Sequence, residues 1–294
     1  MPTLLELRRR TRSVKNTEQI TRAMKMVATA QLRRAQEAII SARPFSSRIL
    51  KVLGAVAAGA EPESHPLLRQ REERRVEVVV ITGDRGLCGS FNQNAIKSAE
   101  ALLVEKAGLG PGVHPVGRKG KDHFRRRGMR LVDPLEDIFR RLDYEHARGI
   151  AAPLIERYSR QDPEDPEGLD AVYLVFNAFR NVLRQDVLVE RLLPLPRLEL
   201  PEQESGPARE FLYEPSQADI FAALLPRHIE YQIWRSLLES AAAEQAARMT
   251  AMDSASKNAK EIIENLTLIM NRVRQTAITT EILEVVGGAE ALAA

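Results

Sequence analysis

One cysteine, Cys88, serves all 294 residues. That excludes an internal disulfide framework and an intrachain thiol switch, and it fits a reducing compartment. Aromatic residues make up only 5% of the chain. None alternates with the basic residues as a base-stacking platform needs, which argues against a nucleic-acid binder. No apolar run approaches the roughly 20 residues that a bilayer-spanning helix requires. A secretory h-region is missing too, since the chain goes straight into "LLELRRRTRSVKNTEQ". Glu6, Glu18 and the continuing helical pattern speak against a transit peptide, and the expectation is a mature cytosolic protein.

Signs of chemistry are equally scarce. "GDRGLCGS" follows a strand-like run and precedes a helix-like one, the place where a nucleotide-binding loop would sit. Its Gly83, Gly86, Gly89 spacing is neither the dinucleotide fingerprint nor a loop ending in Gly-Lys-Ser/Thr. The glycines therefore read as permitting a tight strand-to-helix turn, and Cys88 reads as packed rather than reactive. His65, His114, His123, His146 and His228 are dispersed, with no pair at zinc spacing. Asp84, Asp133 and Glu136 are expected as turn and cap residues. No catalytic residue, cofactor or metal site is expected.

What is present is charge and helical period. The composition is 44% hydrophobic and 28% charged, with a net charge of +3 and a pI near 9.1. Arg8, Arg9, Arg10, Arg12, Lys15, Arg22, Lys25, Arg33 and Arg34 crowd the start, so a basic rod could meet an acidic partner. From Leu4 to about Ala58, a seam recurs through Leu7, Val14, Thr21, Ala28, Ala35, Ala42 and Ile49, with Thr17, Met24, Gln31, Ala38 and Phe45 on a second track. Such a helix would run about 80 Å, and Pro44 should bend it locally.

After the charged linker "EPESHPLLRQREERR" the period changes. "VEVVVIT" reads as a strand buried on both faces, followed by the helix "FNQNAIKSAEALLVEKAG". "GVHPVG" is a second strand, "RKGKDHFRRRG" and "LEDIFRRLDYEHARGIAAPLIERYSR" read as helices, and "LDAVYLVFNAF" and "QDVLVERLLPL" as a closing hairpin. The alternation implies a small Rossmann-like α/β domain with a largely parallel sheet. Beyond the linker "PEQESGPAR", a seam through Tyr231, Trp234, Leu238, Met252, Ala259, Ile262, Leu266, Ile269 and Val273 gives a helix from about Ser216 to Val286, roughly 105 Å long. The expected division is residues 1–60 as N-terminal helix, 75–200 as α/β domain and 210–294 as C-terminal helix. The two long helices should pair as an antiparallel coiled coil. The longer one would then overhang, carrying Ile278, Ile282, Leu283, Val285, Val286 and Leu292 beyond any partner in the chain, for other subunits to sheathe.

The segments "NTEQITRAMKMVATAQLRRAQ", "TGDRGLCGSFN" and "RQTAITTEILEVVGGAEAL", with "FLYEPS" and "EQAARMTAMDSASKNA" between them, resemble the gamma-subunit family of the rotary F-type ATP synthases, of the bacterial type. Gly83 stands where serine is usual, and Gln31 where lysine is common. The resemblance implies a non-catalytic rotor shaft coupling proton-driven rotation of the c ring to conformational cycling of catalytic beta subunits. Its implied partners are three alpha and three beta subunits, the epsilon subunit and the c-subunit ring. Nucleic acid is not among them, and the membrane, at the cytoplasmic face of the bacterial inner membrane, is met only through the c ring. It further implies rotor-stator contacts at Met24, Lys25, Arg274, Gln275, Ile282 and Val286, and contact with the c ring and epsilon at Tyr213 and Glu214. Two other classes stay open on the residues alone. An α/β enzyme would bind a ligand on "GDRGLCGS", and a coiled-coil nucleic-acid binder would show steeply salt-dependent affinity.

Overall fold

Val76–Ile81 (β1) is buried along its whole length, as a strand covered on both faces must be. It lies inside a four-stranded sheet with β2 (Gly112–Val116), β3 (Ala171–Phe179) and β4 (Gln185–Leu193), in the order β2-β1-β3-β4. β1 runs parallel to both neighbours, with Glu77 opposite Gly112 and Val79 opposite Leu174. β3 and β4 form the expected antiparallel hairpin, closing at Phe179 opposite Gln185. The computed structural model describes residues 3–57, 65–160, 165, 168–195 and 216–293. They fall into two compact units, Thr29–Ala247 and Met1–Ala28 with Arg248–Ala294.

In the larger unit, alternation along β1 assigns each side chain to a face. Val76, Val78 and Val80 pack with Ile96 and Leu103 of α2 (Phe91–Glu105) and Phe124 of α3 (Arg118–Arg126). Val79 and Ile81, with Leu174 and Phe176 of β3, pack on Ile150 and Leu154 of α4 (Tyr144–Ser159). That second face is completed from both ends of the chain. Ile49 and Leu53 come from α1 (Leu4–Ala57), while Leu225, Ile229, Ile233 and Leu237 come from α5 (Gln217–Ala293). The two terminal helices meet here, where Tyr231 donates to the Ala42 carbonyl at 3.2 Å and stacks obliquely on Phe45.

The smaller unit holds the antiparallel coil of α1 and α5. Leu7, Thr21 and Ala28 are buried and Val14 is half-buried, a seven-residue repeat facing Met252 and Ala259, also buried. Lys25 Nζ and Asp253 Oδ1, 2.6 Å apart, fix the register. Carried outward from that pair, Leu4 comes level with about residue 274. From Arg274 to Ala289 every residue is exposed.

Four expectations need correction. The helix read over "LEDIFRRLDYEHARGIAAPLIERYSR" is broken, because Asp137 adopts φ 59° and a 3₁₀ turn spans Ile138–Arg140. α4 then starts at a capping box in which Asp143 accepts from the Glu145 N–H while His146 Nδ1 accepts from the Asp143 N–H. On α5 the seam runs through half-buried Ile263, Leu266, Met270 and Val273, leaving Ile262 and Ile269 exposed. A heptad allows either a three- or a four-residue step, and period alone does not choose. α5 also continues through Gly287 and Gly288 to Ala293 rather than ending near Val286. Each glycine costs about 1 kcal/mol against alanine, but extending an existing helix avoids the cost of nucleation. On α1 the second track is likewise displaced, with Leu32 buried while Thr17, Gln31 and Phe45 are exposed.

His228, buried where α5 enters the core, generates a pH prediction. Burial, helped by the Arg235 charge, lowers its pKa from 6.5 to about 4. The unfolded chain therefore takes up the proton first. Stability is complete above about pH 6.5 and falls as the pH drops towards 4, by at most about 3 kcal/mol. The thermal midpoint of the wild-type chain should fall more between pH 6.5 and 5 than that of His228→Gln. Parallel curves would show that His228 does not titrate in this way.

Candidate functional site

The C-terminal ends of β1 and β2 are where an open α/β sheet usually receives a ligand. Here the chain's own groups fill the place. Thr82 Oγ1, fully buried, donates to the Val116 carbonyl at 3.0 Å and accepts from the Gly120 N–H at 2.9 Å. Gly117, at φ 96°, lets the next loop come so close that a Cβ would lie 2.1 Å from the Thr82 carbonyl oxygen. The first N–H of α3, a natural anchor for a phosphate, is taken by Asp84 Oδ1 at 3.0 Å. The same oxygen accepts from the Asp137 N–H at 3.1 Å.

The "GDRGLCGS" turn itself is a docking surface for α5. Gly83 N–H donates to Asn92 Oδ1 at 2.7 Å, and Asn92 Nδ2 donates to the Arg85 carbonyl at 3.3 Å. Leu87 and Gly89 hold positive φ of 63° and 56°, so the turn bends there and not at Gly83. Gly83 is small for another reason: a Cβ on it would lie 2.7 Å from Glu244 Oε1 of α5. Cys88 packs with Phe91 and Ala243, as a buried thiol rather than an exposed one. Asp84 acts as the expected cap. Asp133, at φ 40°, occupies a turn. Glu136 differs from expectation, being an ion-pair partner of Arg118 (2.8 Å) and Lys121.

Sequence reading missed three buried acids among the described residues, Glu77, Glu244 and Asp170. Glu77 lies in the apolar run of β1, where Arg157 grips it with two bonds of 2.7 and 3.1 Å and His114 Nδ1 approaches to 3.4 Å. Burial alone would raise its pKa, but the bonds with His114 and Arg157 outweigh burial and hold it below the usual range. The signal was there: one glutamate among five aliphatic residues in "VEVVVI". Glu244 is the second, a lone acid in the small-residue run "SAAAEQAA". Among the described residues, no group of three or more His, Cys, Asp or Glu side chains is placed to hold a metal ion, and no helix is long and apolar enough to cross a membrane.

The remaining candidates lie on the coil. Met24 and Lys25 are half-buried. Lys25 is held by Asp253, whose pKa is lowered by Lys25 and then by Lys257. Arg274 and Gln275 are exposed, and Ile282 and Val286 are 57% and 49% exposed. These are separate stations: about 21 residues, roughly 30 Å of helix, part Arg274 from the position opposite Lys25. Tyr213 and Glu214 lie outside the described residues.

Comparison with known proteins bears on these features together. The family model described as ATP synthase matches residues 3–292. The ATP synthase gamma chain of Pelotomaculum thermopropionicum is 48% identical over 294 residues, covering 99% of this chain and all of that one. That of Solibacter usitatus is 50% identical over 295 residues, covering 99% of each. Among solved structures, a chain of the Euglena gracilis mitochondrial ATP synthase, from an OSCP/F1/c-ring structure in rotational state 3, superposes with a TM-score of 0.68 at 18% identity. It covers 98% of this chain and 94% of that one. A chain of the Tetrahymena thermophila central stalk and c ring gives a TM-score of 0.58 at 24% identity, over 81% of this chain and 99% of that one. The structural likenesses speak for the fold, and the near-complete sequence matches settle the lineage: the chain belongs to the ATP synthase gamma-chain family.

Proposed function

We propose that this chain is the central rotor shaft of a proton-translocating ATP synthase, a non-catalytic subunit that couples rotation of a c ring to the conformational cycle of catalytic beta subunits. The observation that carries the reading is the end of α5. Ile278, Ile282, Leu283, Val285 and Val286 are 49 to 72% exposed on a stretch that no other part of the described chain covers. A contiguous apolar surface of this kind asks for a partner. In a gamma chain the fitting partner is a ring of three alpha and three beta subunits closing round the helix. The filled crevice supports the non-catalytic role, because carboxylates of the chain stand where a nucleotide's phosphates would be held.

The division of labour follows residues 1–60 and 210–294 as the coil and 75–200 as the domain seated on epsilon and the c ring, with Tyr213 and Glu214 at the foot. The membrane contact is then only through the ring, at the cytoplasmic face of the bacterial inner membrane. A turning shaft needs weakly directional contact over most of its length, which apolar side chains provide, and polar catches at chosen angles. Arg274 and Gln275, exposed just past the end of the pairing, suit such catches. Lys25 keeps 43% of its side chain exposed beside Asp253, so its charge is accessible to an acidic loop of a beta subunit.

Co-purification tests the whole reading: this chain should bring down alpha, beta and epsilon partners, and failure to do so would remove it. Purified alone, the chain should not hydrolyse ATP. Hydrolysis that disappears on changing Asp84 or Arg85 would reveal a nucleotide site in the crevice after all. Ile282→Asp or Val286→Asp should weaken assembly by at least about 2 kcal/mol, since each replaces a buried apolar contact with a desolvated charge. Assembly at wild-type level in both variants would count against a sheathed helix end. Met24→Lys should slow turnover and make it more temperature-dependent while the complex still forms, because a new charge-assisted bond, worth roughly 1.5 to 3 kcal/mol, would hold some rotor angles. Proton pumping and ATP hydrolysis in membrane vesicles over a range of temperatures give the measurement. Unchanged rates would return Met24 to ordinary seam.

A further inference from the structure

We propose that the arginine cluster leading into β1 is a binding site for a phosphate-type anion. Residues 69–75 read RQREERR. They border a cleft of 340 Å³ lined by Arg69, Arg71, Glu72, Arg74, Arg75 and Asp170. Four guanidinium groups share that cleft with two carboxylates, and both carboxylates are already engaged. Glu72 Oε2 accepts from Nε and Nη2 of Arg74 at 3.2 and 2.8 Å. Asp170 accepts from the Arg75 N–H at 2.9 Å, from its Nε at 3.1 Å and from its Nη2 at 3.0 Å.

Arg69 and Arg71 are left over. Among the described residues neither is paired with a carboxylate. Arg71 is nevertheless held in place. Its guanidinium lies over the Tyr158 ring, 5.0 Å from the centroid, and its Nη1 donates to the Arg160 carbonyl at 3.2 Å. Its Nη2 is buried with no hydrogen-bond partner among the described residues. A buried donor left unsatisfied is costly, and Arg71 lines the cleft as a fixed guanidinium that a small shift of the wall would open to an oxyanion. Phosphate suits the place better than a carboxylate. Its tetrahedral oxygens can take donors from two planar forks set at different angles, and its second charge answers the surplus of arginine. The cleft has room for the group together with part of whatever carries it, so the phosphate could be free or belong to a lipid headgroup.

The test uses the folded full-length chain with two probes: inorganic phosphate in solution, and phosphatidylcholine vesicles with and without added phosphatidylglycerol. The double variant Arg69→Gln with Arg71→Gln should bind at least about tenfold more weakly, a difference well within reach of titration. Arg71→Lys, which keeps the charge but loses the fork, should fall between. Arg126→Gln, on the exposed side of α3 away from the cleft, should bind like wild type and reports general electrostatic attraction. Saturable phosphate binding with this pattern identifies a free-anion site. The same pattern with the charged vesicles alone identifies a headgroup site. Absence of binding in both arms, or an Arg126→Gln loss as large as that of the double variant, would overturn the proposal. Wild-type thermal unfolding of the variants shows that the fold is intact. The site is independent of the rotor reading, which stands or falls on the end of α5.

Discussion

One face of the sheet cannot be covered by the α/β domain alone. α4 spans part of it, and the rest of the layer of Val79, Ile81, Leu174 and Phe176 is closed by Ile49 and Leu53 from one end of the chain and by Leu225, Ile229, Ile233 and Leu237 from the other. Each fully buried aliphatic side chain contributes about 1.5 to 3 kcal/mol. The sheet therefore recruits both terminal helices and sets them side by side with opposite directions. The domain and the coil are in this sense one folding problem, since the sheet's core is incomplete until residues far apart in sequence arrive.

The fold also shows how a Rossmann-like layout can lose its usual employment. Parallel strands still end at glycine-rich turns, yet Thr82, Asp84 and Glu244 bring polar atoms to positions a ligand would otherwise use. The glycines are kept by close approach of the chain to itself. Gly117 faces the Thr82 carbonyl and Gly83 faces Glu244. Layout and chemistry separate here, and only the side chains at the strand ends say which chemistry is possible.

Where burial follows a simple period, the sequence was a sound guide. β1 is apolar on both faces, and Leu7, Val14, Thr21 and Ala28 mark the coil by a strict seven-residue step. Local exceptions were harder. The break at Asp137 depends on a left-handed residue that side-chain identity only weakly signals, and the cap at Asp143 is visible only once the helix it starts is known. The choice between Ile262 and Ile263 depends on the rotation of α5 against α1, which is a tertiary quantity. Glu77 was hidden by its neighbours, because a period calculation averages one charged residue away while its partners, His114 and Arg157, lie far off in sequence. Among the site residues, resemblance to a family supplied the names of Arg274 and Gln275, and the coil's register shows why they are accessible. Tyr213 and Glu214 rest on resemblance alone.

The bare end of α5 has a consequence for the life of the molecule before it joins anything. From Arg274 to Ala289 the helix offers isoleucine, leucine and valine to solvent. A copy whose helix end stays uncovered displays the kind of surface that chaperones and quality-control proteases recognise, and two such copies can hide it by sticking to each other. On the rotor reading proposed above, supply of this chain has to be matched to that of the subunits that would cover it, because excess chain keeps an aggregation-prone surface bare.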